Sequence, residues 1–205
     1  IHYHSFRMIR FDWMLFMLLH VLGKRIVFTV HDTHSLDASA LDSFLFARTV
    51  RVSDVLLVHT ENARRVIVER WKVRAGQVRV IPHGGYDEYY SLSREKPAVR
   101  AELGYAHEVV LLAFGTIRQY KELDYLLPAV ADARKSFPKL RLMIAGRAFD
   151  TALGRRYEQM IAELELGDIV RFANRFVDTA EVERFFTSAD LVVLPYIQID
   201  QSCVL

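Results

Sequence analysis

Short apolar stretches alternate with longer amphipathic segments along nearly the whole chain, and this alternation constrains the fold more than any other feature. The apolar stretches are rich in valine, isoleucine and leucine, and the segments between them repeat their apolar residues at helical spacing. Strands that are apolar throughout are typical of parallel sheets with both faces covered. The sequence therefore predicts an α/β fold, in which amphipathic helices cover doubly wound parallel sheets.

The predicted strands fall into two groups that are separated by a polar segment. Strands are predicted at 25–30, 55–58, 78–81, 109–114, 140–145, 169–172 and 191–194. Helices are predicted at 5–22, 40–52, 62–72, 121–136, 151–166 and 179–188. The polar segment 87–97 has no clear period and is the candidate linker. We therefore expect two units, residues 1–90 and residues 91–205.

Residues with useful chemistry follow the predicted strands. They are His31, His59, His83, Gly115, Gly146 and Pro195. In doubly wound sheets, ligands bind at the carboxyl ends of the strands, and these ends share one edge of each sheet. The sequence therefore predicts that binding residues gather at those edges.

The segment 114–127, FGTIRQYKELDYLL, has the pattern of an anion site. It combines the end of a buried strand, a loop with Gly115 and a predicted helix. Arg118 lies in the loop, and Lys121 lies at the predicted start of the helix. A helix N-terminus offers free N–H groups and a partial positive charge to an anion. A diphosphate fits such a site, and the alternative is that both cations are solvated surface charges.

Composition and charge limit the classes of function. The formal net charge of +2 gives no reason to expect nucleic acid as a partner. The single cysteine, Cys203, rules out a disulfide framework or a multi-cysteine metal site within these residues, and it fits a reducing cytoplasm.

The most apolar stretch is the segment 11–22, FDWMLFMLLHVL. It is too short to span a bilayer, which needs about 20 apolar residues. A buried helix is the first interpretation. The alternative is a helix at a membrane surface, because basic residues flank the stretch at Arg7, Arg10, Lys24 and Arg25.

Six segments of the chain occur in an order that resembles one known family. They are TVHDTH, VSDVLLVHTEN, VRVIPHGGY, FGTIRQYKELDYLL, LMIAGRA and SADLVVLPYIQIDQS. As a set they resemble the retaining glycosyltransferases of family 4, which have the GT-B fold of two facing Rossmann-like domains. The resemblance implies that residues 1–90 are the last part of an acceptor-side domain. It also implies that residues 91–205 are most of a nucleotide-sugar-binding domain, so the chain is expected to be a fragment.

The resemblance implies a sugar transfer from a nucleotide diphosphate sugar to a glycan or lipid-linked acceptor, as in the synthesis of cell-surface polysaccharides. Arg118 and Lys121 would bind the diphosphate and neutralise the charge of the leaving group, so no cofactor and no metal is expected. Many family members have the arginine directly after the glycine, whereas Thr116 and Ile117 intervene here. His31 matches a histidine that faces the donor sugar, and the alternative is a structural histidine.

Other donor contacts are also implied by position. Gly115 belongs to the phosphate loop, and Arg147 would supply an additional phosphate contact. Phe176 matches the loop whose backbone meets the nucleobase, and the alternative is that Phe176 is a core residue.

Asp200 falls where the family usually has the first glutamate of a Glu-x7-Glu motif. It would contact the donor sugar, and Ser202 and Cys203 would lie beside the donor with it. Cys203 stands where glycine is common, so its side chain could crowd the donor.

Two other functions fit the same residues. The chain could be an inactive nucleotide-sugar-binding fragment, because the second acid of the motif lies outside it. It could also be a sugar-nucleotide epimerase of the same fold, although no motif in the chain favours that activity.

Overall fold

The computed structural model describes residues 1–4, 9–31, 33, 39–84 and 93–196. These residues form two compact units, one that ends at Gly84 and one that begins at Ser93. Each unit is built around a four-stranded parallel sheet. Among the described residues, none of the helices is both long enough and apolar enough to cross a membrane.

The first unit has a sheet with the strand order β1–β2–β3–β4. Its strands are β1 (His2–His4), β2 (Val27–Thr29), β3 (Val55–Val58) and β4 (Val78–Val80). Its helices are α1 (Ile9–Val21), α2 (Ala40–Val52) and α3 (Glu61–Glu69). Because each strand pairs with the next one in the sequence, every helix crosses over in the same direction.

All three helices of the first unit pack on the same face of its sheet. Alternate strand residues, among them Phe28 and Leu56, join the buried cluster that Phe16 of α1 and Ile67 of α3 complete. The strand residues between them face the opposite side of the sheet. On that side, the His2 Nε2 and the Thr29 hydroxyl form a hydrogen bond. In the described part of the first unit, the helices therefore cover one face of the sheet.

The second unit has the strand order β7–β6–β5–β8. Its strands are β5 (Val109–Phe114), β6 (Leu140–Ala145), β7 (Val170–Ala173) and β8 (Leu191–Val192). Its helices are α4 (Lys96–Leu103), α5 (Leu123–Ala133), α6 (Thr151–Glu163) and α7 (Thr179–Ser188).

Helices cover both faces of the second sheet. On one face, Leu142 and Ile144 of β6 pack against α5 and α6. On the other face, Met143 and Ala145 of the same strand pack beside Phe185 of α7. The central strands are therefore apolar on both sides, and the predicted α/β class with parallel sheets is confirmed.

Local capping signals set several helix boundaries. The Thr60 hydroxyl accepts a hydrogen bond from the Ala63 N–H and so caps the start of α3. Ser39 and Asp42 form a reciprocal capping box at the start of α2. Gly23 follows α1 with φ +65°, which is the left-handed conformation that closes many helices.

The predicted linker at 87–97 is wrong at its C-terminal end, because helix α4 begins at Lys96. Pro97 lies in the first turn of α4, and Gly104 closes the helix with φ +79°. Asp190 holds α4 to the sheet, since its carboxylate accepts hydrogen bonds from Lys96, from Arg100 and from the Val110 N–H. Burial alone would raise the pKa of Asp190, but these donors outweigh burial and lower the pKa to about 2.

The loops after β5 and β6 approach each other closely at two glycines. Gly146 has φ +146°, and a Cβ atom on it would lie 2.2 Å from the carbonyl oxygen of Gly115. Gly115 has φ +96°, and its N–H donates to the Ala145 carbonyl at 2.9 Å. A side chain at Gly146 would therefore force the two loops apart.

We predict that Gly146→Ala destabilises the protein by about 3 kcal/mol, because the backbone must move and the residue is held at a positive φ. Urea unfolding measures the change. Gly167→Ala is the matched control, because nothing lies within 4 Å of a Cβ there and φ is ordinary. An equal loss of stability in both variants would contradict this account.

Candidate functional site

The carboxyl ends of the four strands in the second sheet bring most of the predicted donor residues to one edge. Phe176 follows β7, Arg147 follows β6, and Gly115 and Arg118 follow β5. Tyr196 follows β8, which lies on the other side of β5. The remaining predicted donor residues lie outside the described residues, and they are Asp200, Ser202 and Cys203.

The predicted helix start at Lys121 is wrong. Residues 119–121 form a single 3-10 turn, and Glu122 then adopts a left-handed conformation with φ +54°. Helix α5 begins only at Leu123. The left-handed residue changes the direction of the chain, so Lys121 is positioned by a tight turn rather than by the helix.

The Lys121 ammonium group points back to the end of β5. Its Nζ donates to the Phe114 carbonyl at 3.0 Å and lies 5.4 Å from the centre of the Tyr196 ring. A small cavity lies beside the ammonium group, and it is lined by Lys121, Gly115, Pro195 and Tyr196 together with apolar residues of β5 and β6. The ammonium is thus partly removed from water at the edge where an anion is expected.

Burial, and to a lesser extent the nearby Arg118 guanidinium, together lower the pKa of Lys121 to about 8. Each effect disfavours the charged lysine when the site is empty. A bound anion would oppose both effects, because its negative charge would stabilise the protonated lysine and pair with both cations. The site is therefore electrostatically suited to a ligand with more than one negative charge.

Arg118 stacks on an aromatic ring that the sequence analysis did not identify. Its guanidinium carbon lies 4.2 Å from the centre of the Phe149 ring, and the Phe149 side chain is exposed. A cation–π contact at an exposed position is worth about 0.5–1 kcal/mol, so it orients the arginine without fixing it. The signal in the sequence was an aromatic residue two positions after Arg147.

Arg147 and Phe176 are both exposed at the same edge. The Arg147 carbonyl accepts a hydrogen bond from the Ile117 N–H at 3.0 Å, so the loops after β5 and β6 run side by side. Phe176 is 68% exposed, so the alternative of a core residue is wrong. Arg175 donates to the Phe176 carbonyl and pairs with Glu181, which holds this loop in place.

His31 lies in the first unit, directly after β2. Burial lowers its pKa, and so do the neighbouring imidazoles of His4, His59 and His83. In the described ranges, no group of three or more histidine, cysteine or carboxylate side chains is arranged to hold a metal ion.

Two protein-family models match the chain. Residues 96–198 match the model described as "Glycosyl transferases group 1", and residues 1–85 match the model described as "Glycosyltransferase Family 4". The first match alone covers half of the chain.

Curated relatives carry the name D-inositol 3-phosphate glycosyltransferase. The proteins from Kineococcus radiotolerans and Stackebrandtia nassauensis are each 29% identical to the chain over 155 residues, which are 72% of this chain. Those residues are 35% and 34% of the two relatives. The chain therefore spans about a third of the length of the curated relatives that it matches.

Solved structures of glycosyltransferases share the fold. HepE from Anabaena, solved in complex with UDP, superposes with a TM-score of 0.77 at 16% identity, over 96% of this chain and 53% of that protein. Sucrose-phosphate synthase from Thermosynechococcus elongatus superposes with a TM-score of 0.77 at 21% identity, over 100% of this chain and 52% of that protein. At these identities the similarity shows the fold alone. The chain therefore belongs to the glycosyl transferases group 1 family and has the GT-B fold.

Proposed function

We propose that the protein is a retaining glycosyltransferase, which moves a sugar from a nucleotide diphosphate sugar to a glycan or lipid-linked acceptor. The observation that carries the proposal is the half-buried Lys121 ammonium beside Arg118, at the carboxyl edge of a parallel sheet. Family membership and the UDP complex of HepE support it. Because the chain spans about a third of its curated relatives, the activity is proposed for the protein to which these residues belong.

The diphosphate of the donor would bind between Arg118 and Lys121. As the glycosidic bond breaks, negative charge grows on the leaving nucleoside diphosphate, and both cations stabilise that charge. The loss of one such contact typically costs about 3 kcal/mol of transition-state stabilisation. The two side chains supply this charge themselves, so the proposal requires no metal and no cofactor.

The other donor contacts extend the same proposal. Arg147 follows the strand next to the one that leads into Gly115, and Phe176 follows the strand beyond it. There Arg147 would meet a phosphate oxygen, and Phe176 would meet the nucleobase. Asp200, Ser202 and Cys203 would contact the donor sugar. His31 would hydrogen-bond a sugar hydroxyl from the acceptor-side domain.

We also propose a cytoplasmic protein that contacts a membrane surface through α1. Phe16 of α1 is buried, but five apolar residues at the opposite side of this helix and its end are more than half exposed, namely Phe11, Met14, Leu18, Val21 and Leu22. Leu41 and Phe44 of α2 are exposed too, and Arg48 stacks on Phe44. An apolar helix face with basic residues beside it is typical of proteins that bind anionic lipid surfaces.

We predict that the chain binds one of UDP, GDP or ADP in calorimetric titration, and that Lys121→Ala weakens this binding at least about tenfold. The basis is that a charge-assisted hydrogen bond contributes about 1.5–3 kcal/mol. Lys135→Ala is the control, because that exposed lysine pairs only locally with Asp132. If none of the three nucleotides binds, the proposed donor site is refuted for this chain.

We predict that nucleotide affinity falls roughly tenfold between pH 7.5 and pH 9, because binding requires a protonated Lys121 whose pKa is about 8 in the free protein. Above this pKa the lysine must take up a proton before it can pair with the diphosphate. In Lys121→Arg the guanidinium stays charged, so the affinity should be nearly constant over this range. The same decline in both proteins would assign the pH dependence to another group.

We predict that the double variant Met14→Ser with Leu18→Ser binds anionic vesicles at least about fivefold more weakly than the unchanged chain, because less apolar surface can enter the lipid. Co-sedimentation with vesicles that contain phosphatidylglycerol measures the effect. Phe137→Ser removes an equally exposed apolar side chain from the second unit and serves as control. Equal binding by all three proteins would refute the membrane contact.

A further inference from the structure

Four histidines gather at the carboxyl edge of the sheet in the first unit. His4 ends β1, and His31, His59 and His83 follow β2, β3 and β4. Each strand of the sheet therefore contributes one imidazole to a single group, which we call the histidine cluster. Only His31 has a role in the function proposed above.

The four rings are in direct contact or close to it. The Nε2 atoms of His31 and His4 lie 3.2 Å apart, so one of them donates to the other. The centre of the His31 ring lies 4.9 Å from that of His59 and 6.5 Å from that of His83. The His59 and His83 ring centres lie 5.3 Å apart.

The hydrogen bonds of His59 fix its tautomer. Its Nδ1 lies 2.9 Å from the Ile81 carbonyl oxygen, which can only accept, so Nδ1 carries a proton. Its Nε2 is buried and has no hydrogen-bond partner within the part of the chain that the structure describes. A buried polar atom without a partner is costly. A deprotonated phosphate oxygen, which can only accept, would remove that cost once Nε2 also carries a proton and the ring is an imidazolium.

The protonation of His31 depends on what surrounds it. Burial lowers the pKa of His31, and the imidazoles of His4, His59 and His83 also lower it, so His31 resists protonation when the site is empty. His2 is the next imidazole along β1, and its Nε2 lies 2.8 Å from the Thr29 hydroxyl. Asp32 and His34 of the loop after β2 lie outside the described residues. An anion at the cluster would raise the pKa of its imidazoles, because each charged ring would then have an opposite charge beside it.

We propose that the histidine cluster is a phosphate-binding site, which holds the phosphate group of a phosphorylated acceptor. The assignment to an acceptor rests on the function proposed above. A phosphate group can accept hydrogen bonds from several imidazole N–H groups at once. The four imidazoles lie close enough together, at the carboxyl edge of one sheet, to donate to a single phosphate group. Binding then takes up protons, so affinity rises as pH falls toward 6.

Inorganic phosphate is the probe for this site. We would titrate it into the Lys121→Ala variant, in which the second anion site is weakened, and follow the imidazole nitrogen signals by NMR at pH 6.0 and 7.5. We expect phosphate to raise the pKa values of His31 and His59 and to bind at least about fivefold more tightly at pH 6.0. Unchanged imidazole pKa values at saturating phosphate would overturn the proposal.

His59→Gln tests the residue with the unpartnered nitrogen. Glutamine keeps an N–H donor for the Ile81 carbonyl but has no group that gains a proton, so phosphate binding should weaken at least about fivefold and lose most of its pH dependence. Phosphate binding equal to that of the parent protein would overturn the assignment of His59. The imidazole signals of the parent protein give an independent answer if the variant does not fold.

Competition separates the sources of the phosphate and separates this proposal from the donor site. Displacement of phosphate by a soluble sugar monophosphate supports a sugar acceptor, and displacement by vesicles that contain phosphatidic acid supports a lipid-linked acceptor. If neither competitor displaces phosphate, the assignment of the site to an acceptor is overturned. UDP titrations of the parent protein and of Lys121→Ala test the donor site alone, so failure of the nucleotide site and failure of the histidine cluster have different signatures.

Discussion

Parallel pairing of strands is the constraint on which both candidate sites depend. In each unit the strands run in one direction, so all of their carboxyl ends meet at one edge. The apolar interior of the sheets leaves these edges as the places where polar side chains emerge. In the second unit the edge also requires two glycines, because the backbone at Gly146 passes too close to Gly115 for any side chain. The loops that carry Arg118 and Arg147 are adjacent for this reason.

The two edges use different cations. The second unit presents Lys121 and Arg118, and burial together with the Arg118 guanidinium lowers the pKa of Lys121 to about 8. The first unit presents imidazoles, and burial followed by the neighbouring imidazoles lowers the pKa of His31. Under the two proposals, an anion would pair with a lysine and an arginine at one edge and with imidazoles that gain protons on binding at the other.

The sequence was sufficient to predict the strands, but it was not sufficient to predict several turns. Strands such as β5 and β6 are apolar on both sides, and that pattern is unambiguous without tertiary information. Helix α4 was missed because its first residues continue a polar segment, although Pro97 and Gly104 mark its two ends. The helix start at Lys121 was misplaced, because nothing in the sequence indicates that Glu122 adopts a left-handed conformation.

The side-chain contacts within the two sites also could not be predicted from the sequence. The segment around Arg118 indicated an anion site, but the contact with Phe149 joins two loops that are about 30 residues apart. The strand ends indicated that histidines would gather, whereas their ring contacts and the buried Nε2 of His59 depend on strand register. The hydrophobic pattern of the sequence predicts the sheet edge at which a residue lies. Tertiary packing determines which atoms its side chain contacts.

The lowered pKa of Lys121 links the stability of the protein to its ligand. Between pH 8 and the ordinary lysine pKa of 10.5, the unfolded chain binds a proton that the folded chain has released, so stability rises with pH in this window. Below pH 8 both states hold the proton, and the folded protein carries the full cost of a charged, partly buried lysine. A diphosphate at the site offsets this cost, because it pairs with the ammonium that burial disfavours. The same burial that makes the empty site unfavourable therefore strengthens its preference for an anion.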